Sequence, residues 1–164
     1  MRVECYHASV YGNGAKAVEE FRARMADRGV TVNVHHIDGQ DPARLPPADL
    51  YLFSSPGRMG KPIKEMRRFL DRLVLAPGTR YAILTTEAPP KPDKDGNIPP
   101  EAETCRWQRV RPLMNEALQG KGLVKVAEGH IYVMGNKGPL EDGWQRKVED
   151  LVVQIMTKDQ GAAP

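Results

Sequence analysis

Apolar positions in this chain switch repeatedly between two spacings. Short β-rich runs occupy residues 3–8, 30–37, 50–53 and 81–85. A fifth covers 123–126 and 130–134, with an interruption expected at Glu128-Gly129. Between them, apolar residues recur at the 3.6-residue period of a helix. The first such stripe is Ala15, Val18, Phe21 and Met25, with Glu19, Glu20, Arg22 and Arg24 on the other side and Gly29 as its end. The second is Ile63, Met66, Phe69, Leu70 and Leu73, and Pro62 suits its first turn. A third runs through Val110, Leu113, Met114, Ala117 and Leu118, where Pro112 is expected to kink or divide the helix. The last stripe is Trp144, Val148, Leu151, Val152 and Ile155. Leu50-Tyr51-Leu52-Phe53 has no polar interruption, as a central strand buried on both faces requires.

Strands alternating with helices predict an α/β domain with a parallel sheet covered on both faces. In the five-strand doubly wound order 2-1-3-4-5, ligands bind where the carboxyl ends of strands one and three adjoin. Glycine-rich stretches follow both of those strands. Ser9-Val10-Tyr11-Gly12-Asn13-Gly14 lies between strand one and the first helix. Its backbone N–H groups would meet the positive end of that helix, a ready site for phosphate. A turn without a ligand is the plain alternative. Gly12-Asn13-Gly14-Ala15-Lys16-Ala17 also fits a dinucleotide fingerprint, with Asp38 near the place of its ribose-binding acid. That fingerprint normally starts directly after the strand, however, and Ser9, Val10 and Tyr11 intervene here. The second stretch, Pro56-Gly57-Arg58-Met59-Gly60, follows strand three, and Thr85-Thr86-Glu87 leaves strand four.

Composition narrows the possibilities. A chain of 164 residues, 40% hydrophobic and 27% charged, reads as one ordinary globular domain. Residues 1–157 form that domain in this reading, with 158–164 a frayed tail. No apolar run is long enough for a membrane span and the N-terminus lacks a signal-peptide core, so a cytoplasmic location is expected. Cys5 and Cys105 are too far apart in sequence for a Cys-x-x-Cys site; neither a disulfide framework nor zinc is indicated, and Cys5 is expected to pack within strand one. His35 and His36 would point to opposite faces of a strand, which suits structural roles rather than one metal. Asp93-Lys94-Asp95-Gly96-Asn97 imitates the start of an EF-hand, but Ile98 stands where its glycine belongs and Thr104 where its glutamate does. No metal is expected. The basic run over 61–72 reads as a solvated helix face without the interleaved aromatics of a nucleic-acid platform. The proline-rich segment 88–100 reads as a lid or a partner surface.

Ser9-Val10-Tyr11-Gly12-Asn13-Gly14 resembles the flavodoxin phosphate loop, Ser/Thr-x-Thr-Gly-Asn-Thr. The block Ser55-Pro56-Gly57-Arg58-Met59-Gly60, running to Met66-Arg67-Arg68-Phe69-Leu70-Asp71, is similar to the Pro-x-Arg-Phe-Gly loop and Met-Arg-x-Phe-Leu-Asp helix of flavodoxin-like NAD(P)H:quinone oxidoreductases of the tryptophan-repressor-binding-protein type. That group also carries a tyrosine where Tyr11 stands, and Gly138-Pro139-Leu140 is similar to small flavodoxin-domain proteins. The resemblance implies a flavodoxin-like three-layer sandwich. It also implies FMN held by Ser9 to Gly14, Pro56 to Gly60 and Thr85 to Glu87, with Arg58 beside the flavin ring. Two departures stand out. Tyr11 and Gly14 replace phosphate-binding threonines, so Ser9 and backbone N–H groups must do more. Thr85-Thr86-Glu87-Ala88-Pro89 lacks the Thr-Gly-x-Gln-His-Gly-Gly motif of the quinone reductases.

What the resemblance implies for function is an FMN-dependent oxidoreductase taking electrons from NAD(P)H to a quinone-like acceptor, with a homo-oligomer favoured by the quinone reductases. An electron-carrier flavodoxin docking to redox proteins and a flavin-free binding module are the alternatives. Carrier flavodoxins typically have acidic surfaces and aromatic rings over the flavin. This chain has a net charge of +3, and neither Pro56–Gly60 nor Thr85–Pro89 holds an aromatic residue; Trp107 is the candidate for a covering ring from elsewhere. No catalytic residue is singled out, and neither nucleic acid nor membrane is expected as a partner.

Overall fold

The computed structural model describes residues 1–161. Along the chain run β1 (Arg2–His7), α1 (Asn13–Ala26), β2 (Thr31–His36), β3 (Leu50–Arg58), β4 (Lys61–Pro62), α2 (Lys64–Asp71), β5 (Arg80–Glu87), α3 (Glu101–Thr104), α4 (Val110–Gln119), β6 (Val124–Tyr132) and α5 (Trp144–Gly161). Five strands pair in parallel in the order β2-β1-β3-β5-β6, with β4 paired antiparallel to the end of β3. Setting β4 aside, this is the expected 2-1-3-4-5 order. Helices cover both faces, so the architecture is the flavodoxin-like sandwich.

Period-2 alternation in the central strands explains how one apolar run serves two cores. Val3, Cys5, Leu50, Leu52, Ala82 and Leu84 point to the face covered by α1 and α5, where they meet Phe21, Met25, Val148 and Leu151. Tyr6, Tyr51, Phe53, Tyr81 and Ile83 point to the opposite face, against Met66, Phe69 and Leu70 of α2 and Met114 and Leu118 of α4. Two helices per face therefore clamp the sheet and leave the carboxyl ends of its strands at one edge.

Four local expectations are corrected. Pro112 does not divide a helix: it falls in the first turn of α4, where its missing N–H has no intrahelical acceptor to lose. Pro62 lies in β4 rather than in the first turn of α2, which starts at Lys64. Strand β6 runs unbroken through Glu128-Gly129, and its irregularity lies where the register slips between the Tyr81–Lys125 and Ala82–Ala127 pairs. Helix α5 continues past Lys158 to Gly161, and residues 162–164 of the expected tail lie outside the described residues.

Candidate functional site

Four loops at the carboxyl edge of the sheet enclose a cavity of about 460 Å³. The first begins at β1, where three local bonds shape residues 9–12. His7 Nδ1 accepts the Ser9 N–H (3.3 Å), Ser9 Oγ accepts the Gly12 N–H (3.1 Å) and Gly12 O accepts the Lys16 N–H (2.9 Å). Gly12 caps α1 at φ 94°, a left-handed conformation that glycine adopts without steric cost. No side chain caps this helix and its first turn holds no acid. The N–H groups of Asn13, Gly14 and Ala15 therefore have no intrahelical acceptor, and nothing negative competes for them.

A histidine pair supports this loop from below. His36 Nδ1 accepts the Asp38 N–H at 3.0 Å, which leaves the proton on Nε2 to donate to Ser9 O at 3.0 Å. The rings of His7 and His36 meet edge to face, 5.0 Å between centroids. Burial, and then the neighbouring His36, hold the His7 imidazole below its ordinary pKa, so it stays a neutral acceptor. His35 points the other way, stacking on Tyr6 and bonding Glu4 at 2.7 Å. Burial pushes the Glu4 carboxyl up, but hydrogen bonds from Asn33, His35 and Arg2 outweigh it and hold the group below its ordinary value. Both histidines have structural partners, as their opposed directions on β2 imply.

The second loop is a hairpin. Gly57 pairs with Pro62 and Arg58 with Lys61, leaving Met59 (φ 53°) and Gly60 (φ 74°) as a two-residue turn. Positive φ at both central positions marks the turn that matches strand twist. The glycines here serve packing as much as any ligand. A Cβ at Gly57 would lie 2.7 Å from Val110 Cγ2, and one at Gly60 would lie 2.1 Å from Trp107 O. The third loop carries Glu87, whose side chain is 2% exposed and pairs with Arg111 at 2.8 Å. Arg111 also bonds Glu101 at 2.8 Å. Burial opposes the guanidinium charge, but Glu87 and Glu101 outweigh it and raise its pKa, while Arg111 holds Glu101 below its ordinary value.

Of the residues singled out from sequence, Ser9, Val10, Tyr11, Asn13, Gly14, Pro56, Gly57, Arg58, Met59, Thr86 and Glu87 line the cavity. Gly12, Gly60 and Thr85 stand behind it: Gly12 shapes the cap, Gly60 packs on Trp107, and the buried Thr85 hydroxyl donates to Glu87. Sequence reasoning read residues 135–143 as a loop but gave it no part in the site, whereas it brings Gly135, Asn136 and Lys137, with Val133, to the wall. Lys137 Nζ lies 5.5 Å from the centre of the Tyr11 ring. A usable signal was present. In a parallel sheet the carboxyl end of every strand faces the same edge, and residues 135–143 are glycine-rich.

The proline-rich segment takes a different place from a lid over this cavity. Ala88 lines the wall, but Pro90, Ile98 and Pro99 line a separate 110 Å³ crevice over Arg111 and His130. The Asp93 carboxylate is occupied by the N–H groups of Asp95 and Asn97, each at 2.9 Å, which accounts for the calcium-like pentad as a turn. Among the described residues, no group of three or more His, Cys, Asp and Glu side chains could hold a metal ion, and no helix is long and apolar enough to cross a membrane.

The arrangement is that of a flavodoxin-like fold with the uncapped N-terminus of α1 at its switch point. No protein-family model matches the chain and no curated protein matches it. Solved structures do. A flavodoxin from the domain Archaea superposes with a TM-score of 0.71 at 16% identity, covering 98% of this chain and 99% of that one. Flavodoxin 2 from Bacillus cereus gives 0.72 at 15%, covering 96% and 99%. Rubredoxin oxygen:oxidoreductase from Desulfovibrio gigas gives 0.66 at 13%, covering 99% of this chain but 37% of that one. The fold thus recurs both as a whole protein and as part of a longer one.

Proposed function

We propose that this chain binds FMN in the 460 Å³ cavity and works in electron transfer. The observation that carries the reading is the free N-terminus of α1, uncapped by any side chain and free of acids in its first turn, opening into a cavity at the switch point. The donor set suits a phosphate monoester. Ser9 Oγ keeps its own proton to donate after accepting the Gly12 N–H, the N–H groups of Asn13 and Gly14 complete a cradle, and Lys137 supplies a cation above it. Pro56, Met59 and Ala88 offer the apolar contact a planar ring needs, and Arg58 adds charge at the mouth. Bound FMN would supply the redox chemistry; the protein's residues hold, orient and partly shield it.

Two partners fit. A redox protein is favoured by large apolar side chains exposed at the cavity mouth, with Met59 94% exposed and Val10 and Tyr11 also open to solvent. NAD(P)H-to-quinone chemistry is favoured by the absence of an aromatic residue from the second and third loops, which leaves room for a planar acceptor. FMN titration followed by the quenching of flavin fluorescence tests the binding. Saturable quenching that riboflavin, lacking the phosphate, does not reproduce supports the site. Equal affinity for both would refute the phosphate assignment. Anaerobic mixing of the loaded protein with NAD(P)H, then benzoquinone, separates the partners: quinone-dependent NAD(P)H oxidation selects the small-molecule reading, and its absence selects the protein one.

A further inference from the structure

The basic run over residues 58–72 has a tertiary setting that its sequence alone does not show. Arg58 lines the mouth of the flavin cavity, Lys61 follows across the hairpin, and Lys64, Arg67, Arg68 and Arg72 continue along the exposed side of α2. Six cations stand against two carboxylates, Glu65 and Asp71, a surplus larger than the whole chain's net charge of +3. The remainder of the molecule is therefore close to balanced, and the field is concentrated beside the cavity. Most helix-borne charges elsewhere are committed: Arg24 to Glu149, Arg111 to Glu87, and Lys147 to Glu141. Among the described residues, none of the six cations over 58–72 makes an ion pair with a side chain of this chain; Arg67 Nε donates to Pro62 O at 3.1 Å.

The strip also has apolar anchors and a cleft. Trp107 is 52% exposed, and the segment that carries it is tied to the hairpin two residues on, where Gly60 O accepts the Arg109 N–H at 2.6 Å. Lys61, Arg67, Trp107 and Arg109 line a 230 Å³ cleft immediately beside the turn that carries Met59. An exposed Trp and Met among arginines is the composition of an interface core, and an unpaired cationic surround gives steering.

We propose that the hairpin, the exposed side of α2 and the Trp107 corner form a docking surface for an acidic redox protein, seated so that Met59 and Arg58 lie between partner and cavity. The partner's class rests on the electron-transfer reading above; the sign of its charge rests on the strip itself. Carboxylates of the partner enter the cleft beside Trp107, where Lys61 and Arg67 meet them, and Lys64 and Arg68 extend the cationic surface along α2. Complex formation then accelerates at low salt and weakens as the ~8–10 Å screening length of physiological salt shortens further.

Nuclear magnetic resonance of the ¹⁵N-labelled, FMN-loaded full chain provides the test, with a plant-type [2Fe–2S] ferredoxin as acidic probe, cytochrome c as basic probe and an oligouridylate as nucleic-acid probe. The expected result is ferredoxin-induced shifts at residues 58–72 and 106–109 in 20 mM salt, lost in 500 mM, with no such shifts from cytochrome c. The triple variant Lys64→Glu, Arg68→Glu, Arg72→Glu, all on the solvent side of α2, should weaken ferredoxin binding by at least tenfold and leave FMN affinity unchanged. Shifts elsewhere, insensitivity to the triple variant, or tighter binding of oligouridylate to the same strip would overturn the proposal. Repeating the ferredoxin titration without FMN keeps the two readings apart. A chain that fails to bind FMN but binds ferredoxin here loses the flavin reading and retains the docking surface.

Discussion

A Cβ at Gly60 would lie 2.1 Å from the carbonyl oxygen of Trp107, so the β3–β4 hairpin and the segment before α4 meet with no room for a side chain. Gly60 also has φ 74°. Gly60→Ala therefore combines left-handed strain of about 1–2 kcal/mol with a backbone overlap costing about 1–3 kcal/mol. Urea unfolding should show a loss of at least 2 kcal/mol, and Trp107 fluorescence should change because its anchor moves. An unchanged midpoint would mean that the contact is not made.

Gly12 differs from Gly60 in having nothing within 4 Å of its would-be Cβ. Its requirement is conformational, from φ 94°, and not one of space within the chain. Gly12→Val should cost about 1–3 kcal/mol of strain. It should also re-aim the N–H groups at the start of α1, weakening FMN binding by tenfold or more in fluorescence titration. Gly12→Asn, which tolerates the left-handed region, should recover part of that loss.

Arg58 is exposed and lines the cavity, where a positive charge favours uptake of negative charge on reduction. Arg58→Ala is expected to lower the reduction potential of bound FMN, or its affinity, without changing the unfolding midpoint by more than about 0.5 kcal/mol. Potentiometric titration reads the first and fluorescence the second; no change in either would leave Arg58 as solvent-facing charge.

Glu87 is buried and depends on Arg111, itself only 11% exposed. Removing the cation while keeping apolar bulk leaves a carboxylate without its counter-charge, a loss of about 3–5 kcal/mol. Arg111→Met should show that loss in urea unfolding at pH 7. Adding Glu87→Gln should restore much of it, and a double variant no better than the single one would remove Glu87 as the reason.

His7 gives a pH dependence with a defined sign. Burial and His36 hold its folded-state pKa below the ordinary 6.5, so the unfolded chain takes up this proton first as pH falls. Stability is thus unaffected by His7 well above 6.5 and declines as pH drops from there towards the lower folded value. His130 acts in the same direction, its pKa lowered by burial and then by Arg111. Urea midpoints at pH 7.5 and 5.5 should differ, with the lower value at 5.5. His7→Gln keeps an acceptor for the Ser9 N–H and removes the proton site, so it should narrow the gap; an unaltered gap would assign the dependence to other groups.

The sequence by itself determined the five parallel strands, their doubly wound order and most of the cavity wall, but not the short β4. Those features rest on local physics: an uninterrupted apolar run in Leu50 to Phe53, a 3.6-residue period in Phe21 and Met25, and glycine turns at strand ends. It also brought the loops after strands one and three to one cavity, because parallel order sends both strand ends to the same edge. Tertiary structure alone decided the rest. Lys137 reaches Tyr11 because α5 packs beside α1, which draws the loop after the edge strand back across the sheet. Arg111 meets Glu87 across 24 positions of sequence, and Trp107 meets Gly60 across the chain between β4 and α4. Such contacts leave no periodicity to read, since their energy depends on distances between elements that exist only once the two cores have packed.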